Sequence, residues 1–271
     1  MTKNLKRRRF LVIMYLSNFT MGGDAALATV TAFVSGKGGT GKTTLCGAIA
    51  GCLAAEGRRV LCLDLDIGLR NLDLILGLAE EPILPFTEVA KGHQNPEAAT
   101  VHPKIPGLFL FTAPLRARAE DIDPTEFDAL IRACEAQFDD ILIDAPAGIG
   151  AGFDLGVRTA DRVILVSAAD PASLRDAEQT ARLLELQGKD ESYLIVNRVR
   201  PGYFRAAKTT VDDMMDTIGV PLLGLVPDDR HVPIAAARNQ ALVLHERKGA
   251  AAACRRIAKR LQGIRVPIPM K

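Results

Sequence analysis

Residues 35–44 read "SGKGGTGKTT", between the β-branched run "TVTAFVS" (29–35) and a stretch over 42–56 that reads as a helix. Gly36 to Thr43 fits G-x-x-x-x-G-K-[ST], a loop whose glycines let backbone N–H groups close around phosphate. The helix starting near Lys42 adds the positive end of its dipole. Lys42 is expected to reach the β- and γ-phosphates of a nucleoside triphosphate, and Thr43 to place its hydroxyl on Mg²⁺. The whole cradle comprises Gly36, Lys37, Gly38, Gly39, Thr40, Gly41, Lys42, Thr43 and Thr44. One lysine suffices to neutralise a bound phosphate, so Lys37, set early among the glycines, calls for a second purpose.

Outward from the loop, strands and helices alternate. "RRVLCLDLD" (58–66), "GLFLFTA" (107–113), "DDILIDAP" (139–146), "DRVILVSAAD" (161–170), "SYLIVNRV" (192–199) and "PLLGLVP" (221–227) read as strands. Residues 124–138 and 173–187, and a segment near 205–217, read as helices. This order predicts an α/β chain of the P-loop NTPase kind: a single doubly wound, mostly parallel sheet with helices on both faces. Ligands of such sheets sit beyond the carboxyl ends of the strands.

Carboxylates stand at those ends. Asp64 and Asp66 close the second strand, and i, i+2 spacing places both on one face of an extended chain. Asp144 follows the apolar run Ile141, Leu142 and Ile143, the form of a buried strand ending in an acid near a phosphate-bound metal. Taken alone, a strand-terminal Asp is also a common turn or cap residue.

The pattern K-G-G-x-G-K-T-T resembles the deviant phosphate loop of the MinD/ParA ATPases. In that family the extra lysine crosses an ATP-sandwiched dimer and touches the partner's nucleotide. Lys37 is therefore expected to act in trans, with the logic of an arginine finger. "GLRNLDLILG" (68–77), "DAPAGI" (144–149) and "SLRDA" (173–177) are more similar to the MinD branch than to ParA partition proteins. The likeness runs from about residue 29 to 266. It implies that Asp66 positions the attacking water, that Asp64 holds Mg²⁺ through water and that Asp144 closes the metal site. It also places Asn197, Arg198, Pro227 and Asp229 on the adenine side.

The resemblance further implies ATP and Mg²⁺ as cofactors and an ATP-dependent homodimer. Slow, partner-stimulated hydrolysis to ADP and phosphate would return the monomer. Residues 64–77 and 144–152 would be the switch elements. A MinC-like division inhibitor and an activating or topological factor would be the partners, meeting the helix 173–187 near Arg175 and Asp176, and the outcome would be placement of the bacterial division septum. The alternatives are a ParA-like chromosome or plasmid partition ATPase, a flagellar-number regulator of the same superfamily, and an iron–sulfur carrier.

Composition bears on these. The chain has 271 residues, no Trp and a formal charge of +2. Lys3, Lys6, Arg7, Arg8 and Arg9 face only Asp24 in the first 28 residues, so the remaining body is slightly acidic. That argues against nucleic acid as a specific partner, since a DNA-binding dimer needs a basic stripe. Cys46, Cys52, Cys62, Cys134 and Cys254 form no C-x-x-C pair and read as small buried apolar residues of a reducing compartment. The four histidines have no metal-ligand spacing.

The ends are distinctive. Residues 1–28 read as an extension outside the ATPase domain (29–271), either a disordered tail or translated leader with Met14 or Met21 as the start. The apolar run "FLVIMYL" is too short to span a bilayer. Near the C-terminus, Cys254, Ile257, Leu261 and Ile264 recur at helical spacing, with Arg255, Arg256, Lys259 and Arg260 expected to face away. The stripe is thin, so docking on the domain is favoured over membrane insertion. MinD proteins usually end in an amphipathic membrane helix, whereas "GIRVPIPMK" (263–271) carries two prolines that oppose a helix. The expectation is a cytoplasmic protein, or one peripheral at the inner face of the membrane, whose membrane association is weak or partner-mediated.

Overall fold

The computed structural model describes residues 27–269, and the expected extension over residues 1–28 therefore lies almost wholly outside the described residues. Among them is an eight-stranded sheet in the order β3-β4-β2-β5-β1-β6-β7-β8. The strands are β1 (Thr29–Val34), β2 (Val60–Asp64), β3 (Thr100–Val101), β4 (Leu108–Phe111), β5 (Asp140–Asp144), β6 (Arg162–Ala168), β7 (Ser192–Val199) and β8 (Leu222–Pro227). All pairings are parallel except that of β3 with β4, so the expected doubly wound, mostly parallel sheet is found. The short edge strand β3 gives no period-two signal, which is why the sequence pattern misses it.

The central strands are apolar on both sides because helices cover both faces. Alternation still sorts their side chains. Val30, Ala32 and Val34 of β1 and Ile141 and Ile143 of β5 face one layer, while Phe33 and Leu142 face the other. The first layer is covered by α4 (Pro124–Glu135), α5 (Ala151–Arg158), α6 (Pro171–Leu186) and α8 (Val211–Ile218). The second is covered by α1 (Lys42–Ala55), α2 (Leu72–Leu76), α9 (His231–Ala237), α10 (Leu242–His245) and α11 (Gly249–Leu261). Short α3 (Phe86–Ala90) contributes Phe86, packed edge-on against Phe127. All five cysteines are buried and free, in keeping with their apolar settings.

Three local expectations need correction. The second strand ends at Asp64, so Asp66 lies beyond the sheet and does not share a strand face with it. The helix expected near 205–217 is split into α7 (Tyr203–Ala206) and α8. Thr210 caps α8 through the Asp213 amide, and a new cap starts a new helix. Arg260, expected to face solvent, is 4% exposed. Its guanidinium donates to the carbonyl oxygens of Leu223 (2.9 Å), Val266 (2.8 Å) and Pro267 (2.7 Å). The chain turns back after α11, with Gly263 at φ 77°, and these carbonyls need a donor. The helix itself docks as expected, burying Cys254, Ile257 and Leu261, while Ile264 lies past its end and is half exposed.

Candidate functional site

β1, β2 and β5 are neighbours, and their ends build one site. Residues 35–41 leave β1 and enter α1 at Lys42. Gly41 caps α1 at φ 89°, a left-handed conformation that disfavours side chains. The first turn of α1 contains no acid, so its amide dipole is uncompensated and suits an anion. Gly38 and Gly39 are exposed at the lip of the loop. Gly36 is spaceless: a Cβ there would lie 2.7 Å from the Asp176 carbonyl oxygen of α6.

Asp144 ends β5 in register with Asp64 of β2 and Phe33 of β1. It is fully buried, and its Oδ1 accepts from Lys42 Nζ at 2.6 Å. Thr43 Oγ1 lies 3.3 Å from the same nitrogen. Asp64, 1% exposed, accepts the Asp66 amide at 2.8 Å and the Leu72 amide at 3.1 Å. It thus ties down both ends of the segment that follows β2. Burial, reinforced by Asp144, pushes the Asp64 carboxyl up to about 7. Burial also raises Asp144, against the pull of Lys42. Asp66 is partly exposed, and its charge is felt by both carboxyls, so the three acids lie together.

The site fits a nucleotide phosphate with a divalent cation. Asp144 Oδ2 and Thr40 Oγ1 are buried and have no hydrogen-bond partner among the described residues. Two carboxylates and a threonine hydroxyl are a sparse donor set, which suits Mg²⁺, an ion that keeps waters and shares phosphate oxygens. A cage of three or more His, Cys, Asp or Glu is absent among the described residues.

The second lysine lies at the lip. Lys37 Nζ is 3.4 Å from Asp170 Oδ1, and Asp170 caps α6 by accepting the Ser173 amide at 2.9 Å. Sequence reasoning missed Asp170, although Asp-Pro ahead of an amphipathic run is a helix-start signal. The segment 144–152 is pinned to the loop by the Gly148 amide, which donates to the Ser35 carbonyl at 2.9 Å. Leu69 in the segment 64–77 and Ile149 in the segment 144–152 are 72% and 60% exposed.

The four residues assigned to the adenine side separate into two pairs. Asn197 and Arg198 touch the loop backbone at Thr40 and Gly39. Pro227 and Asp229 line a shallow cleft with His231, Glu246 and Lys248. The Asp229 oxygens accept the His231 and Ala250 amides at 2.9 and 2.8 Å, starting α9 and α11.

A family model described as the CobQ/CobB/MinD/ParA nucleotide binding domain matches residues 31–243. The chain is 36% identical over 236 residues to the septum site-determining protein MinD of Synechocystis sp., covering 86% of this chain and 89% of that one. Among solved structures, a chain of the MinC:MinD cell division protein complex of Aquifex aeolicus superposes with a TM-score of 0.82 at 32% identity, over 89% of this chain and 98% of that one. The MinD protein of Pyrococcus horikoshii complexed with Mg-ADP gives 0.75 at 26% identity, over 87% and 96%.

Proposed function

Because the chain belongs to the CobQ/CobB/MinD/ParA family of nucleotide-binding domains, we propose that it works as a MinD-type switch: it dimerises around ATP, recruits a division inhibitor and is reset by hydrolysis. Its family makes it an ATPase using ATP and Mg²⁺, and its MinD relatives make it a septum-site-determining protein rather than a partition protein.

The observation that carries the site assignment is the buried meeting of Lys42 and Asp144 at 2.6 Å beneath a glycine loop, with Asp144 Oδ2 left over. Lys42 would hold the β- and γ-phosphates. Thr43 and Asp144 would hold Mg²⁺, with Asp64 behind them, and the ion would neutralise phosphate charge during transfer. Asp66 would orient the attacking water. Lys37 would supply its charge to the second copy's nucleotide. Hydrolysis is proposed to be slow until a partner acts, because a switch must persist between signals.

A MinC-like inhibitor is the proposed partner, in line with the complex formed by the Aquifex relative. The approach of α6 to Gly36 gives partner binding there a route to the loop. Among the described residues no helix is long and apolar enough to cross a membrane. Arg260 ties Val266 and Pro267 back to the domain, and a cytoplasmic protein whose membrane association is weak or partner-mediated is part of this reading.

The test is a deletion strain complemented with the parent or with Lys42→Ala as fluorescent fusions, scored for septum position, alongside Mg²⁺-dependent ATP turnover by the purified protein. The parent should restore placement and turn over ATP, and Lys42→Ala should do neither. Correct septa in the uncomplemented strain, or no ATP turnover by the parent, would remove the reading.

A further inference from the structure

We propose that Asn197 and Arg198 are positioning residues for the phosphate loop, holding two of its carbonyls so that the following amides face the phosphates. This rests on the reading of residues 36–44 as a phosphate loop and deepens it.

Strand β7 is paired regularly on one side and irregularly on the other. Its pairing with β6 runs regularly to Asn197 opposite Ala168, but its register with β8 breaks between Val196 and Val199. Such a break re-aims side chains at the end of a strand. Arg198 takes φ 56° here, a conformation that costs a non-glycine residue strain and that is held only when its surroundings demand it. The two consecutive side chains reach two consecutive carbonyls. Asn197 Nδ2 donates to Thr40 O at 2.8 Å, and Arg198 Nη1 donates to Gly39 O at 3.0 Å.

The peptide unit turns these contacts into a statement about the loop interior. In a planar trans peptide the C=O of one residue and the N–H of the next point in opposite directions. Drawing the Gly39 carbonyl toward β7 turns the Thr40 amide away from it, and drawing the Thr40 carbonyl does the same for the Gly41 amide. Two successive amides aimed to one side are the elements of an anion nest. Donors already oriented need no rearrangement when phosphate arrives.

The seat is closely fitted. Asn197 is 6% exposed, and a Cβ on Gly41 would lie 2.3 Å from its Nδ2. Glycine at 41 therefore serves the Asn197 contact as well as its own left-handed φ.

The experiment measures binding of tripolyphosphate, ATP and GTP, each with Mg²⁺, to the parent, Asn197→Ala and Arg198→Gly. Loop positioning predicts that Asn197→Ala weakens all three ligands by a similar factor of about tenfold, the worth of one buried hydrogen bond, and leaves the ATP-to-GTP ratio unchanged. Arg198→Gly should weaken all three about two- to fivefold while its melting temperature stays level or rises, since glycine relieves the strained φ. That weakening should persist at high salt, where a lost surface charge counts for little. Variants that bind tripolyphosphate like the parent but lose preference for ATP over GTP would overturn the proposal and return both residues to base recognition. Weakening that vanishes at high salt would overturn it for Arg198. If Asn197→Ala fails to fold, Arg198→Gly decides. A parent that binds no tripolyphosphate would refute the phosphate-loop reading itself.

Discussion

Lys42 and Asp144, 102 positions apart, form a buried ion pair in which Nζ lies 2.6 Å from Oδ1 and neither side chain is more than 6% exposed. Each is the other's counter-charge in a place where an unpaired charge is costly. Lys42→Ala should therefore lose nucleotide and also destabilise the fold by about 3–5 kcal/mol at neutral pH. The loss should shrink in acid, because the orphaned Asp144 can take up a proton. Asp144→Asn added to Lys42→Ala should recover much of the stability and none of the binding. Urea unfolding at pH 5 and pH 8 checks this, and a double variant no more stable than Lys42→Ala would disprove the coupling.

Asp64 predicts a pH dependence. Its folded carboxyl titrates at about 7 against an ordinary value of 3.8, so between those values the folded state binds more protons than the unfolded state. Stability without nucleotide or Mg²⁺ should be highest below about pH 4, as far as this group is concerned, and fall as pH rises through 7. Asp64→Asn should flatten that slope. Thermal melts from pH 5 to 8 measure it, and equal slopes in parent and variant would count against the burial effect.

Lys37 and Asp170 form a looser, half-exposed pair at 3.4 Å. Asp170→Asn keeps an acceptor for the Ser173 amide and removes the charge. It should let the protein dimerise with ATP at about two- to threefold lower concentration, in proportion to the small worth of an exposed pair. Lys37→Ala should bind ATP yet remain monomeric. Sedimentation velocity with ATP and Mg²⁺ distinguishes these outcomes, and a Lys37→Ala protein that dimerises and hydrolyses like the parent would end the trans-lysine reading.

Asp66 is partly exposed and stands off the sheet. Asp66→Ala should change stability by no more than about 0.5 kcal/mol, as expected for a surface site. Hydrolysis should stop while ATP stays bound, trapping the dimer on a sizing column. Turnover at the parental rate would show that another group orients the water.

Arg260 satisfies three carbonyls at once, two of them in the C-terminal tail. Arg260→Ala should cost about 2–3 kcal/mol and expose the tail to trypsin at Arg265. A variant that melts and resists trypsin like the parent would mean that the tail is held otherwise.

Much of this protein was determined by sequence alone. The alternation of β-branched runs with amphipathic stretches specified a doubly wound sheet, because each pattern has one way to bury its apolar face. The loop 36–44 named its ligand class, because glycine spacing and a helix start are local chemistry. Other features were decided only by the fold. No local signal brings Lys42 to Asp144 or Lys37 to Asp170, since those meetings follow from strand order and from the seat of α6 against Gly36. Arg260 looked like one more solvent-facing cation of a basic helix face until the returning tail presented it with carbonyls. Resemblance places Asn197 on the adenine side, and only the fold shows its side chain at the Thr40 carbonyl, beside the register break between β7 and β8. The physical reason is common to all: sequence periodicity reports which face of an element is buried, while a polar side chain's partner depends on which other elements arrive beside it.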